Sequence, residues 1–206
     1  MKERKEAPTR EQMALLPAFP VLGPQQVWLV DTPEQAQLAL PELLAQPVLG
    51  FDTESKPTFL KEQKSDGPHV VQFATTTRAY VFQLWAPECR LAVTQVLGAA
   101  HVVKAGFGLV SDLRQIAAKF GAAPQAVLDV DALFRQQGYR RELGVKAAVA
   151  VVFGQRFNKS KKASTSNWAA RKLSTVQVLY AANDAYAAMQ VYAALQRENL
   201  LHDPRQ

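Results

Sequence analysis

Cysteine is nearly absent: Cys89 stands alone in 206 residues. A lone thiol excludes an internal disulfide and predicts a reducing interior, and three scattered histidines beside it leave no Cys/His zinc site. Any metal held here must be held by carboxylates. No apolar run reaches the roughly 20 residues of a membrane span, so no membrane partner is expected. The opening "MKERKEAPTREQ" lacks the apolar centre of a secretion signal. It reads as a flexible tail over 1–22, ahead of a single domain over 23–200 in a cytoplasmic protein. Internal repeats and low-complexity linkers are missing as well, and the length suits one domain with a sizeable core.

Acidic charge is in deficit. Lys plus Arg number 24 against 18 Asp plus Glu, a net charge of +6, and the pI is near 9.5. That balance suits a polyanionic partner such as nucleic acid. The densest basic stretch is "RFNKSKKASTSNWAARK", residues 156–172, with six Lys or Arg. It is either a solvated loop or a phosphate-contacting surface, with Lys159, Lys161, Lys162, Arg171 and Lys172 as the candidate contacts.

What is present alternates between strand and helix. "QVWLVD" (26–31) and "PVLGFDTE" (47–54) read as strands, "VVQFATTT" (70–77) and "AYVFQL" (79–84) as a hairpin, and "HVVKAGF" (101–107) as a further strand. Thr32, Pro33 and Gln35 predict a capped helix start between the first two strands. Leu109, Leu113, Ile116, Ala117 and Phe120 recur at helical spacing and end at Gly121. "AVLDVDALF" (126–134) gives a strand turning into helix. Ser174 and Gln177 box the start of a long last helix. An antiparallel pair followed by alternating strands and helices predicts an α/β domain, a mixed β-sheet flanked by helices.

Four carboxylates stand out. Asp52 and Glu54 lie two apart on an apolar strand and so share a face, where they repel unless exposed or neutralised by a cation. An Asp-x-Glu pair by itself arises by chance in most chains of this size. Asp112 opens the helix after "AGFG", a place that the helix dipole alone would favour for an acid. Asp184 sits on the last helix among Ala181, Ala182, Ala185, Ala187 and Ala188, which let that helix pack closely on a sheet. Gathered in one pocket, the four make sense as oxygen ligands for hard divalent cations, Mg²⁺ or Mn²⁺. Two such ions, roughly 3.5–4 Å apart, clamp the attacking and leaving oxygens of a phosphodiester. The acidic pocket then holds the cations and the basic surface holds the strand.

"VLGFDTESKP", "KAGFGLVSDL" and "NWAARKLSTVQVLYAANDAYA" occur in this order and resemble the three motifs of the DEDD 3′–5′ exonucleases. The likeness runs from about Gln26 to Leu195. Among members, it is nearer to the exonuclease domain of the Werner syndrome protein and less close to ribonuclease D. The resemblance implies a ribonuclease H-like fold, with Asp52 and Glu54 in the first motif, Asp112 in the second and Asp184 in the third. Position 179 is Leu and position 180 is Tyr, which implies the tyrosine variant. It implies that the four acids hold two divalent ions and that Tyr180 orients the attacking water, a phenol being a poor base at neutral pH. The expected substrate is a single-stranded or 3′-ended nucleic acid, DNA or RNA, trimmed to nucleoside 5′-monophosphates. Thr53, through its backbone, and Phe107, by stacking, are further candidates for binding the terminal nucleotide, with Lys161, Lys162 and Arg171 on the phosphates. Two alternatives stay open: a nucleic-acid-binding module with a retired site, and a phosphoesterase of small nucleotides on the same fold. Oligomeric state is not legible.

Overall fold

The antiparallel pair predicted from residues 70–84 forms, and it lies in the middle of a six-stranded mixed sheet. The computed structural model describes residues 5–58 and 65–197. The strands are β1 (Val27–Val30), β2 (Val48–Glu54), β3 (Val70–Ala74), β4 (Ala79–Gln83), β5 (Val103–Gly106) and β6 (Val127–Asp129). Their spatial order is β1-β4-β3-β2-β5-β6. β3 runs antiparallel to both β2 and β4, and the other neighbours are parallel. A four-residue turn closes the hairpin, with Thr75 N donating to Arg78 O at 2.8 Å.

The helices are α1 (Arg10–Ala14), α2 (Pro33–Leu44), α3 (Pro87–Gly98), α4 (Val110–Phe120), α5 (Asp131–Gln136), α6 (Gly144–Phe153), α7 (Lys161–Ser164) and α8 (Thr175–Arg197). Two expected starts are built as the sequence predicts. Thr32 and Gln35 form a reciprocal capping box on α2, and Ser174 and Gln177 do the same before α8. Gly121 ends α4 at φ 74°, a left-handed backbone that residues with a Cβ avoid. α3 and α6 begin without a side-chain cap; α3 is marked instead by Pro87 at its first position and Glu88 in its first turn, while α6 carries neither.

The sheet is covered on both faces. Phe51, Phe73 and Phe82 stack on one side, in a core shared with α2, α3 and α4. The other side receives α8, whose buried alanines meet Val70, Ala74 and Val81. Gly50 sets the approach. A Cβ there would lie 2.0 Å from the Ala185 carbonyl oxygen, so only glycine lets α8 lie this close to β2.

The stretch expected as a loose tail is docked from residue 5 onward. Lys5 N donates to Gly138 O, Phe19 N to Arg156 O, and Arg156 N to Pro17 O. Phe19 is buried against Phe153, Phe157 and Tyr186. The physical reason is an apolar anchor: the charged opening conceals Phe19 and Leu22, which bury their surface on the domain. Residues 1–4 of the expected tail and 198–200 at the expected domain end lie outside the described residues. Among the described residues no helix is long and apolar enough to cross a membrane.

Candidate active site

Strand geometry places the first two acids. In β2 the pleat points Gly50, Asp52 and Glu54 toward α8, while Phe51 and Thr53 face the opposite layer. Because Gly50 admits α8 closely, Asp184, one residue before Ala185, arrives beside Asp52. Oxygens of Asp52, Glu54 and Asp184 all lie within 4.8 Å of one another. Asp184 is 3% exposed, and the Lys159 ammonium lies 2.6 Å from its Oδ2.

Such crowding is costly for ionised groups. Burial, and then the charge of Asp184, push the Asp52 carboxyl up to about 8. Burial, and then Asp52, push Glu54 up to about 9. Burial also raises Asp184 and Asp112. Three crowded carboxylates, one buried and two half-buried, fit a hard divalent cation, which would relieve the repulsion and take oxygen ligands.

Asp112 stands apart from this trio. Its carboxylate accepts hydrogen bonds from the Thr53 hydroxyl and from Ser111 Oγ. Thr53 therefore links the β2 acids to the first turn of α4. The expected backbone contact of Thr53 with a nucleotide is not free to form through its N–H, which donates to Asp52 Oδ1 at 2.9 Å. Asp129 orients the turn before α4, accepting from Gly108 N and Leu109 N.

Tyr180 lies one turn before Asp184 on α8. Its ring packs against buried Trp168, with centroids 6.0 Å apart. Burial and the charge of Asp184 hold its hydroxyl above the ordinary phenol range.

Lys159 was read from the sequence as a surface phosphate contact. Instead its ammonium lies 2.6 Å from Asp184 Oδ2 and 5.4 Å from the Tyr180 ring centroid. Only 24% of the side chain is exposed. Burial opposes its charge, but Asp184 and Asp52 outweigh that and keep it firmly protonated. One lysine among four in a basic stretch gives no sequence signal for this role; the acids are remote in the chain.

A cleft of about 360 Å³ opens beside the cluster, lined by Asp52, Asp184, Lys159 and Phe107, with Asp131 and Glu142 opposite. Sequence reasoning missed those last two acids, which carry no motif. Asp131 is buried and accepts from Leu143 N at 2.7 Å. Phe107 is half-buried on the wall and stacks on Phe134. Lys161, Lys162 and Arg171 are exposed and outside this cleft; Arg171 stacks on exposed Trp85, 5.1 Å from its ring centroid.

The chain resembles known proteins in sequence and in fold. It is 30% identical over 159 residues to a ribonuclease D of Acidiphilium cryptum, a match covering 76% of this chain and 39% of that protein. It thus spans well under half the length of the curated relative. Among solved structures, the EXO domain of Aedes aegypti Nibbler superposes with a TM-score of 0.72 at 23% identity, covering 89% of this chain and 94% of that one. Trypanosoma brucei RNase D in complex with RNA U12 gives 0.72 at 20% identity, covering 90% and 64%. Both share the ribonuclease H-like arrangement of sheet and helices described above. A family model described as 3′–5′ exonuclease matches residues 27–199, so with its three carboxylates gathered on β2 and α8 this chain belongs to the 3′–5′ exonuclease family.

Proposed function

We propose that this protein is a metal-dependent exonuclease of the tyrosine variant, removing nucleotides from the 3′ end of DNA or RNA as nucleoside 5′-monophosphates. The observation that carries this reading is the trio Asp52, Glu54 and Asp184, whose oxygens lie within 4.8 Å of one another beside an open cleft. The name of the ribonuclease D relative and the RNA in the trypanosomal complex point to the same substrate class.

Asp52, Glu54 and Asp184 would hold divalent ions, two of Mg²⁺ or Mn²⁺ on this reading, with Asp112 contributing from behind Thr53. When bound, such ions supply Lewis-acid stabilisation of the phosphoryl oxygens and lower the pKa of water. The protein's own groups do the rest. Tyr180 stays protonated, since burial and Asp184 both disfavour its phenolate. Its hydroxyl therefore orients the attacking water and takes no proton from it. Lys159 Nζ, next to Asp184, offers a fixed positive charge to a pentavalent phosphorus carrying extra negative charge. Phe107 offers an apolar wall to the base or sugar.

The test is a 5′-labelled single strand of DNA or RNA, and a recessed duplex, incubated with Mg²⁺ or Mn²⁺ beside an Asp52→Ala/Glu54→Ala protein. A ladder shortening from the 3′ end, lost in the variant and in chelator, supports the reading. Intact binding without cleavage under either metal sinks it in favour of a retired binding module, and release from small nucleotides alone sinks it in favour of a small-nucleotide phosphoesterase.

A further inference from the structure

Two residues of the cleft lining, Glu142 and Leu143, serve more than one space. Both residues also line a second, larger depression of about 920 Å³, roughly two and a half times the cleft's 360 Å³. One wall is the connection between α5 and α6, carrying exposed Arg140 and Arg141. The Leu143 N–H donated to buried Asp131 pins that connection to the domain. The other wall is the docked N-terminal segment, carrying Lys5 and Arg10. Lys5 N bonds Gly138 O at 3.2 Å, its ammonium lies 5.9 Å from the Tyr139 ring centroid, and Thr9 boxes the start of α1. Four cations, Lys5, Arg10, Arg140 and Arg141, outnumber two acids, Glu6 and Glu142, along its lining.

We propose that this trough binds the phosphodiester backbone of the single strand upstream of the bond being cut, and delivers that strand to the cleft. The inference rests on the exonuclease reading for its direction. Only one nucleotide lies on the 3′ side of the scissile bond. Two depressions that meet at Glu142 and Leu143 offer more room than one nucleotide needs, so the trough serves the longer, 5′ side. Cations spaced along two walls suit a repeating phosphate, and no base-specific donor set is needed for a strand that must slide. The N-terminal segment is thereby part of the substrate track: it supplies Lys5 and Arg10 and holds the trough's second wall.

The experiment uses the full chain with Arg140→Ala/Arg141→Ala, and Arg90→Ala on α3, a helix of the opposite layer, as a control for generic loss of charge. Unchanged thermal melts establish that the variants fold. Binding of labelled DNA and RNA oligomers is followed by anisotropy in chelator across a salt series, and turnover is measured on an oligomer and on a dinucleotide. The double variant is expected to bind the oligomer on the order of tenfold more weakly, with a log–log salt slope shallower by about 1.4, while dinucleotide turnover and the Arg90 control stay unchanged. An unchanged slope, a loss equal to that of the control, or an equal loss on the dinucleotide overturns the trough. The two readings fail separately. A ladder that persists with undiminished oligomer binding sinks the trough alone. The expected binding loss in a protein that cuts nothing supports the trough as a nucleic-acid site and sinks the exonuclease.

Discussion

Lys159 Nζ sits 2.6 Å from Asp184 Oδ2, and the same ammonium lies over the Tyr180 ring. The protein thus carries its own cation beside a cluster of acids. Without it, Asp184 would be a buried carboxylate with no positive partner at contact distance. Breaking a buried pair from one side costs about 3–5 kcal/mol, and the quarter-exposed lysine brings the expectation to roughly 2–3 kcal/mol. Lys159→Met is therefore expected to lower the unfolding free energy in chelator by that amount and to lower kcat at saturating metal. Denaturant melts with and without Asp184→Asn check the pairing. If the double variant loses the sum of the two single losses, the two groups are not coupled.

The raised carboxyls make metal-free stability depend on pH with a definite sign. Burial and mutual repulsion push Asp52 up to about 8 and Glu54 up to about 9 in the fold, well above ordinary carboxyls. The folded state therefore binds their protons more tightly than the unfolded state. Their contribution is fully present below the unfolded values and is lost as pH rises through the folded ones. In chelator, the melting temperature is expected to fall steadily between about pH 5 and about pH 9. Mn²⁺ should flatten that slope by replacing protons at the cluster, with proton release on binding. Asp52→Asn should also flatten it, raising the metal-free melting temperature while removing activity. A melting temperature that climbs over this range in chelator contradicts the buried-cluster picture.

Tyr180→Phe separates orientation from packing. The ring keeps its contacts with Trp168 and Lys159 and only the hydroxyl's hydrogen bond to Asp184 is lost, so stability should fall by about 0.5–1.5 kcal/mol. Loss of the hydroxyl should cut kcat by about 10–100-fold, because the attacking water loses its aim, with little change in KM. The hydroxyl is held above its ordinary value, so the wild-type rate should show no deprotonation of this tyrosine below about pH 10. A variant at full speed removes Tyr180 from the mechanism.

Gly50 tests whether helix approach builds the site. A Cβ there meets Ala185 O at 2.0 Å and Met189 Cβ at 2.8 Å, and backbone cannot step aside cheaply. Gly50→Ala should cost about 1–3 kcal/mol or more, and should weaken Mn²⁺ binding by shifting Asp184 away from Asp52. Calorimetric titration with Mn²⁺ reads the second effect directly. Unaltered metal affinity in a destabilised protein would mean the cluster does not depend on this contact.

Local chemistry was legible from the chain alone. The alternation in "GFDTE" assigned Asp52 and Glu54 to one face, Thr32–Gln35 and Ser174–Gln177 marked two helix starts, and Gly121 marked a stop, because each depends only on backbone geometry within a few residues. The small residues around Asp184 announced close packing. Tertiary closure decided the rest. Lys159 among the acids, Asp112 set behind the Thr53 hydroxyl, the docking of residues 5–22 and the trough beside Arg140 and Arg141 all join positions far apart in sequence. Charges act through space: a lysine in a basic run becomes the counter-ion of a buried aspartate only once α8 has closed on β2. That distance is a property of the folded chain, and no spacing along the sequence encodes it.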